Sequence, residues 1–318
     1  MIKYKQRALI VGLKSHTLTN KEKIFLKYSK PWGVILFSRN IINLNQLKRL
    51  TNNIKKIVNN KNFPIFIDEE GGDVSRLSQI INLKYFSANF FGNLYIKDRL
   101  KFDYTYKSYI NFLSNIFHYT GININTVPVL DILKRNTHTF LRNRIFSNNP
   151  DVVSSIGNIT TKLFNDNKIA TVMKHIPGHG SANKDSHLKL PLVNESKKNL
   201  FSKDFYTFRT NKSFFAMTGH VLYKKIDPIN CATHSKIIIK NIIRKNIRFN
   251  GILISDDISM KSLNKSIILN AKKALDAGCN LILHCNGNMS EMTKLSKIIP
   301  YIDKFTMKKS SEFFEFLS

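Results

Sequence analysis

The stretch Ala170-Thr-Val-Met-Lys174 is a short apolar run that ends in a basic residue, and His-Ile-Pro-Gly-His-Gly180 follows it. The run has the length of a buried strand, while Pro177, Gly178 and Gly180 predict a loop after it. The residues before it, 151–165, have helical periodicity. A helix followed by such a strand is typical of the repeated unit of a parallel α/β fold.

Seven further runs of this kind recur along the chain, separated by stretches with helical periodicity. The eight predicted strands are Ala8–Leu13, Gly33–Phe37, Pro64–Asp68, Ile122–Thr126, Ala170–Lys174, Phe214–Thr218, Ile252–Asp256 and Leu281–Cys285. The clearest predicted helices are Leu44–Val58, Tyr104–Tyr119, Asp151–Asn165 and Ile267–Ala277, the last stopped by Gly278 as a C-cap. Eight alternating units predict the α/β class and a single (β/α)8 TIM barrel.

We find no internal repeat and no Pro- or Ser-rich linker, so one barrel domain over residues 1–300 is expected. Residues 301–318 are predicted to form a C-terminal helical tail packed on the barrel. Four of its side chains form the expected apolar stripe: Phe305, Phe313, Phe314 and Leu317.

The composition is strongly basic, with 50 Lys and Arg against 21 Asp and Glu in 318 residues, a net charge of +29. Such a charge raises the question of a nucleic acid or membrane partner. The basic residues are spread through every segment and do not alternate with aromatic residues, so we interpret them as a solvated surface. We therefore expect neither partner, and we keep salt-dependent binding of nucleic acid or membrane as the weakest alternative.

The three cysteines, Cys231, Cys279 and Cys285, are an odd number without C-x-x-C spacing, which indicates neither a disulfide framework nor a zinc knuckle. The apolar run Ala8–Leu13 is too short for the core of a signal peptide, and no segment has transmembrane length. We expect a cytoplasmic monomer.

Four of the predicted strands lead into charged or imidazole side chains. Asp68, Lys174 with His175, His220, and Asp256 with Asp257 stand at or just after these strand ends. Taken alone, an Asp at such a position is more often a helix cap or turn acceptor. Because the carboxyl ends of barrel strands line one mouth, four coincident examples predict a single active site there.

The segment Lys174–His187 holds the densest cluster of titratable groups in the chain. Four of its side chains are of types that bind zinc: His175, His179, Asp185 and His187. Pro177 and Gly178 break the helix that would bring His175 and His179 onto one face, so we expect no metal. The chain also lacks the glycine-rich nucleotide loops and the G-x-S-x-G elbow, so we expect no cofactor and exclude an esterase.

Asp185 and His187 are separated by one residue, so the carboxylate can contact one ring nitrogen while the other faces a substrate. Such a dyad orients the imidazole and raises its basicity. Taken alone, residues 183–188 are more typical of a polar surface loop than of a catalytic dyad, and the context decides between the two.

Four motifs stand in a characteristic order and spacing: Asp68-Glu-Glu-Gly-Gly72, Lys174-His-Ile-Pro-Gly-His-Gly180, Asp185-Ser-His187 and Ser255-Asp-Asp-Ile-Ser-Met260. With them, nearly the whole chain resembles glycoside hydrolase family 3, and specifically its bacterial cytoplasmic β-N-acetylglucosaminidases. The resemblance implies a retaining β-N-acetylhexosaminidase that needs no cofactor. Its implied substrates are 1,6-anhydro-muropeptides, from which terminal non-reducing β-linked N-acetylglucosamine is removed during peptidoglycan recycling.

The resemblance also implies roles for individual residues. Asp256 corresponds to the nucleophile, with Asp257 as the second choice, and His187 to the proton donor and acceptor assisted by Asp185. The implied substrate-binding residues are Asp68, Arg76, Arg144, Lys174 and His175.

Two positions depart from the family pattern. Asp73 stands where Arg is common after Gly-Gly, and residues 141–146 replace the usual Ile-Gly-x-Arg-Ser-aromatic pattern. We choose Arg144 over Arg142 as the ligand because Arg144 keeps the family's distance to Pro150.

Three alternatives remain open. The chain is a β-N-acetylglucosaminide phosphorylase if phosphate replaces water, since a histidine acid/base does not repel phosphate. It is another β-glycosidase of the family if the sugar differs. It is a catalytically silent barrel acting as a binding protein if the drifted residues 141–146 have cost it turnover.

Overall fold

A computed structural model describes residues 6–135, 137, 139–180 and 190–318, with only the backbone of Phe140. The described strands are β1 (Arg7–Gly12), β2 (Pro31–Leu36), β3 (Ile65–Ile67), β4 (Ile124–Asn125), β5 (Ala170–Ile176), β6 (Leu192–Val193), β7 (Phe215–Thr218), β8 (Leu222–Tyr223), β9 (Ile252–Ile254) and β10 (Ile282–His284). Eight of them run parallel in the order β10-β1-β2-β3-β4-β5-β7-β9, while β6 and β8 form a separate two-stranded ribbon. Each predicted strand overlaps one barrel strand, so the predicted TIM barrel is confirmed.

Helices surround the barrel. They are α1 (Asn20–Ser29), α2 (Leu44–Val58), α3 (Ala88–Lys97), α4 (Arg99–Thr120), α5 (Thr139–Arg142), α6 (Pro150–Asp166), α7 (Lys197–Asn199), α8 (Ile267–Ala277), α9 (Met289–Ile298) and α10 (Lys304–Leu317). Two π-helical segments, Leu200–Asp204 and Ile238–Asn246, and three 3-10 turns, Ser38–Asn40, Tyr206–Phe208 and Ala232–His234, complete the set. Within the described ranges, no helix is long and apolar enough to cross a membrane.

The ends of the helices follow local side-chain chemistry. Helix α8 has the predicted bounds because the Ser266 side chain accepts from the Leu269 N–H, and Gly278 takes the left-handed conformation at a φ of 116°. Helix α4 begins at Arg99, five residues before the predicted start, because Asp98 caps the N–H of Lys101 at 2.9 Å.

The barrel closes between β9 and β10 by a mixture of backbone and side-chain bonds. One parallel bridge joins Ile254 to Leu281. On either side of it, the Leu253 N–H donates to Asn280 Oδ1 at 2.8 Å and the Leu283 N–H to Ser255 Oγ at 3.0 Å. We call this junction the seam, and the Asn280 and Ser255 side chains supply two of the hydrogen bonds that cross it.

An aromatic cluster fills the amino-terminal end of the barrel and anchors α10. Trp32 packs edge-on against Phe215 with 5.5 Å between ring centroids, and Phe215 packs against Phe313 of α10 at 5.3 Å. The Trp32 indole N–H donates to Ser310 Oγ at 2.9 Å, which ties the helix to the barrel by a buried hydrogen bond.

The expected apolar stripe of α10 is formed only in part. Phe313 is fully buried, and Phe314 and Leu317 pack against the same core. Phe305 is exposed instead, because its ring lies at the surface with the Arg244 guanidinium 5.5 Å from its centroid. The helix shares the barrel's hydrophobic cluster, and the division at residue 300 stays a prediction.

Candidate active site

A cavity of about 230 Å³ opens at the carboxyl ends of the barrel strands. All six predicted site residues that the structure describes line it: Asp68, Arg76, Arg144, Lys174, His175 and Asp256. Asp185 and His187 lie outside the described residues. Strands β3 and β9 stand four places apart in the ring of eight, so Asp68 and Asp256 follow strands on opposite sides of the mouth.

Asp68 is the centre of a cationic clamp. The Lys174 ammonium lies 2.6 Å from Asp68 Oδ1, the Arg76 guanidinium bonds Oδ2, and the Thr126 hydroxyl donates to Oδ1. Burial opposes ionisation of Asp68, but Lys174 and Arg76 outweigh it and hold its pKa well below the ordinary value. The carboxylate is therefore ionised at neutral pH, and the clamp is a fixed array of charged hydrogen-bonding groups.

Glu70 forms a second buried carboxylate beside this clamp. Arg144 grips it with two parallel bonds, Nε to Oε2 at 2.7 Å and NH2 to Oε1 at 2.8 Å, and Lys174 Nζ lies 2.5 Å from Oε1. The Glu70 side chain is only 4% exposed. Burial disfavours the charged form of Arg144, but Glu70 outweighs it and raises the arginine pKa.

Residues 141–146, which depart from the family pattern, contact the turn after β3 at two places. Arg144 reaches the cavity and pairs with Glu70, whereas Arg142 points to the surface and donates to the Arg135 carbonyl at 2.8 Å. Asn143 Nδ2 donates to Asp73 Oδ2 at 2.7 Å. The unusual Asp73 thus has a partner in the unusual segment.

Two histidines contact one buried carboxylate, His175 through its ring and His179 through its backbone N–H. Asp131 Oδ2 lies 2.8 Å from His175 Nδ1, and its Oδ1 accepts from the His179 backbone N–H at 2.6 Å. Burial opposes ionisation of Asp131, yet His175 lowers its pKa below the ordinary value. The bond fixes the His175 ring, and His175 lines the cavity.

His179 also lines the cavity and is 2% exposed. Burial lowers its pKa to about 4, so the ring is neutral at physiological pH. Within the described parts of the chain, neither ring nitrogen has a hydrogen-bond partner.

The two adjacent carboxylates after β9 have different surroundings. Asp257 accepts from the Ser259 N–H at 3.0 Å, the Ser259 hydroxyl at 2.7 Å and, across the seam, the Cys285 N–H at 3.1 Å. Asp256 Oδ1 accepts the Asp257 N–H at 2.8 Å, and its own N–H donates to the Thr218 hydroxyl at 3.3 Å. Both line the cavity, but Asp257 also holds the turn together.

Sequence reasoning missed Glu70, Thr126 and Asp131, and it considered His179 only as a zinc ligand. Glu70 was visible inside the Asp68-Glu-Glu-Gly-Gly turn, whereas nothing near Asp131 in the sequence indicates its contact with His175. Among the described residues, no group of three or more His, Cys, Asp or Glu is placed to hold a metal ion.

The comparison with known families assigns the chain to one of them. A model described as the Glycosyl hydrolase family 3 N terminal domain matches residues 9–310. The chain belongs to this family. A Beta-hexosaminidase from Shewanella frigidimarina is 31% identical over 291 residues, 88% of this chain and 82% of that protein. One from Neisseria meningitidis is 32% identical over 284 residues, covering 87% and 78%.

Solved structures agree with this assignment. NagZ from Neisseria gonorrhoeae, in complex with N-trifluoroacetyl-D-glucosamine, superposes with a TM-score of 0.86 at 29% identity, over 97% of this chain and 90% of that one. A family 3 β-N-acetylglucosaminidase from a Paenibacillus species has the same fold, with a TM-score of 0.83 at 22% identity, over 99% of this chain and 62% of that one. The family 3 chain is thus a glycoside hydrolase of the β-hexosaminidase type.

Proposed function

We propose that this family 3 protein is a retaining β-N-acetylhexosaminidase that removes terminal non-reducing β-linked N-acetylglucosamine from 1,6-anhydro-muropeptides in peptidoglycan recycling. One observation carries the activity: six residues chosen from motifs spread over residues 68–256 line a single cavity at the barrel mouth. The Neisseria gonorrhoeae relative was solved in complex with N-trifluoroacetyl-D-glucosamine, and this supports an N-acetyl sugar as the substrate of the present chain. The muropeptide aglycone rests on the resemblance alone.

Asp256 is proposed as the nucleophile. A carboxylate oxygen attacks the anomeric carbon, the glycosidic carbon–oxygen bond breaks, and a covalent glycosyl-enzyme forms through an oxocarbenium-like transition state. Asp257 is the poorer candidate, because its two oxygens already accept three hydrogen bonds from Ser259 and Cys285. These bonds hold both oxygens of Asp257 in the turn after β9.

His187, assisted by Asp185, is proposed as the general acid and base. In the first step it gives a proton to the departing aglycone oxygen. In the second step it takes a proton from water, whose oxygen attacks the anomeric carbon and releases Asp256. The sugar is thereby hydrolysed with net retention, and an imidazole that titrates near neutrality suits both transfers.

Recognition of the sugar is proposed for Asp68, Arg76, Arg144, Lys174 and His175. Carboxylate oxygens accept from sugar hydroxyls, while the cations donate to hydroxyl and acetamido oxygens. Because Lys174 and Arg144 are fixed by Glu70, these donors are already in place before the substrate arrives.

The nucleophile is tested by a matched pair of variants. Asp256→Asn should abolish turnover of an activated aryl β-N-acetylglucosaminide. Asp257→Asn should retain measurable turnover but lose thermal stability, because the seam loses the charge that accepts the Cys285 N–H. Trapping with a 5-fluoro-N-acetylglucosaminyl fluoride, followed by peptide mass spectrometry, should label Asp256. A label on Asp257 would refute the assignment.

The acid role is tested by changing the leaving group. His187→Ala should lose far more kcat/KM with an alkyl aglycone, which needs protonation, than with a dinitrophenyl aglycone, which does not. Equal losses would contradict the role.

Addition of phosphate should leave the product as free N-acetylglucosamine. Formation of the 1-phosphate would instead show a phosphorylase.

A cytoplasmic location and a monomeric state are part of the proposal. All three cysteines carry free thiols, and Cys231 and Cys279 are buried, as in proteins of reducing compartments. Cell fractionation tests the location, and light scattering of the purified chain tests the monomer.

A further inference from the structure

His220 follows strand β7 by two residues, but it is not among the described residues that line the active-site cavity. Its side chain is fully buried. Both ring nitrogens have partners, since Nδ1 lies 2.8 Å from the Thr233 hydroxyl and Nε2 lies 3.0 Å from the Asp257 carbonyl oxygen. The imidazole therefore links the loop after β8, which carries Thr233, to the turn after β9, which carries Asp257.

The partners of His220 determine which ring nitrogen carries the proton. A carbonyl oxygen can only accept, so Nε2 is the donor, and the neutral ring presents Nδ1 as an acceptor. The Thr233 hydroxyl donates its single hydrogen to Nδ1 in preference to the Gly219 carbonyl, which is 3.3 Å away. The Thr218 hydroxyl lies 2.8 Å from Thr233 Oγ1 and is left to donate to it. We call Thr218, Thr233 and His220 the histidine network.

Both ends of the histidine network hold the backbone around Asp256. At one end, Thr218 Oγ1 accepts the Asp256 N–H at 3.3 Å. At the other end, His220 donates to the Asp257 carbonyl, which also accepts the Met260 N–H at 3.1 Å. The N–H of Asp257 in turn donates to Asp256 Oδ1 at 2.8 Å. The orientation of the Asp256 carboxylate thus depends on the main chain of Asp257, which His220 holds.

The turn after β9 needs such bonds because it is neither strand nor helix. Strand β9 stands next to β7 and, across the seam, next to β10. On the β10 side, the Cys285 N–H donates to Asp257 Oδ1 at 3.1 Å. On the β7 side, the histidine network supplies the bonds. A carboxylate that attacks a carbon must be placed closely, since a misplacement of about 1 Å costs about 10²-fold in rate.

We propose that His220 is a positioning residue of the glycosidase reaction: its Nε2–H holds the Asp257 carbonyl, so that the Asp257 N–H orients Asp256 for attack on the anomeric carbon. The inference rests on the proposed role of Asp256 as the nucleophile. Because His220 does not line the cavity, its loss should slow formation of the glycosyl-enzyme and leave sugar binding intact.

Two amide variants separate the two bonds of His220. A glutamine amide nitrogen reaches the place of Nε2, whereas the shorter asparagine reaches only that of Nδ1. With an aryl β-N-acetylglucosaminide, we expect His220→Asn to lower kcat about 10- to 100-fold with KM changed by less than about twofold. His220→Gln should stay within about fivefold of the natural chain. Equal losses in the two variants, or a change in KM alone, would overturn the proposal.

His118→Asn is the matched control for this substitution. His118 is exposed, and its Nε2 also bonds a backbone carbonyl, that of Asn167 at 2.7 Å. The control should therefore lose a bond of the same kind without any change in kcat. A loss of kcat equal to that of His220→Asn would show that the effect is not specific to the turn after β9.

A double-variant cycle tests whether His220 acts through Asp256. Asp256→Gly removes the carboxylate, and added azide then forms the bond to the anomeric carbon as the aryl oxide departs. In this background, His220→Asn should change the azide-dependent rate by less than about twofold, because no carboxylate is left to orient. Equal losses in the two backgrounds would overturn the role of His220 alone. Full turnover by Asp256→Gly without azide would refute the proposed nucleophile, and the role of His220 with it.

The directions of the hydrogen bonds are tested without turnover. In the full chain labelled with ¹⁵N-histidine, the His220 ring is identified by the loss of its NMR signals in His220→Gln. It should show the Nε2–H tautomer, and the Nδ1–H tautomer would overturn the assignment. Should His220→Asn fail to fold, Thr233→Val removes the donor to Nδ1 and should lower kcat, whereas Thr233→Ser keeps the hydroxyl and should not. Equal kcat in these two variants would also overturn the proposal.

Discussion

Glu70 provides a sharp test of how the active site is held together. It is the shared partner of Arg144 and Lys174, and its side chain is 4% exposed. Glu70→Gln keeps the shape of the side chain and removes its charge. Lys174 then has only Asp68 as an acidic partner among these groups, and the Arg144 guanidinium loses its bidentate carboxylate. Both buried cations, Lys174 and Arg144, then lose the negative charge that Glu70 supplied.

The size of the effect follows from burial. Removing one partner of a buried ion pair costs about 3–5 kcal/mol, because the remaining charge stays out of water. With an unfolding entropy of about 2.1 cal/mol/K per residue, the 318 residues give about 0.7 kcal/mol/K. We therefore expect the Tm of Glu70→Gln to fall by about 4–7 °C.

Differential scanning calorimetry of Glu70→Gln measures this shift, with Asp166→Asn as the control. Asp166 pairs with Lys162 on the surface, where the two side chains are 54% and 73% exposed, so its loss should cost less than about 1 kcal/mol. If both variants melt within about 1 °C of the natural chain, the reasoning from buried charge is wrong. KM for an aryl β-N-acetylglucosaminide should rise in Glu70→Gln only.

Two further predictions concern stability. His179 and His234 have a pKa lowered to about 4 by burial, against an ordinary 6.5, so the unfolded chain binds more protons than the folded one between these values. Tm should fall as pH decreases from 6.5 to 4, and less steeply in His234→Gln; an unchanged slope would contradict this. Phe313→Ala should lower the free energy of unfolding in urea by about 3–5 kcal/mol, whereas Phe305→Ala on the same helix should cost less than about 1, because only Phe313 is buried. Equal losses would show that α10 is not anchored as described.

The sequence contained most of the architecture. Each barrel strand is a short apolar run, and a run of that length, bounded by loop residues and by stretches of helical period, can be recognised locally. The π-helical segment Ile238–Asn246 was not predicted, because its apolar periodicity resembles that of an ordinary helix. Phe305 was placed on the wrong face because its contact with Arg244 lies 61 positions away in the chain.

The active site divides in the same way. Asp68, Lys174 and Asp256 could be predicted to lie near one another, and they line one cavity, because the topology of a barrel sends every strand end to one mouth. Glu70 and Asp131 were missed because their partners, Arg144 and His175, are 74 and 44 residues distant, and only the folded chain brings them together. The motif residues that touch the cavity are local features, whereas the groups that position them are not.

The seam between β9 and β10 makes substrate binding and barrel motion interdependent. The N–H groups of Leu253 and Leu283 donate to the Asn280 and Ser255 side chains across this junction. Opening of the seam would separate Asp256, which follows β9, from Leu283 and Cys285 at the end of β10. All three residues line the active-site cavity. A sugar that contacts both sides of the seam stabilises its closed form. Hydrogen–deuterium exchange at the amides of Leu253 and Leu283 should therefore slow when the sugar binds.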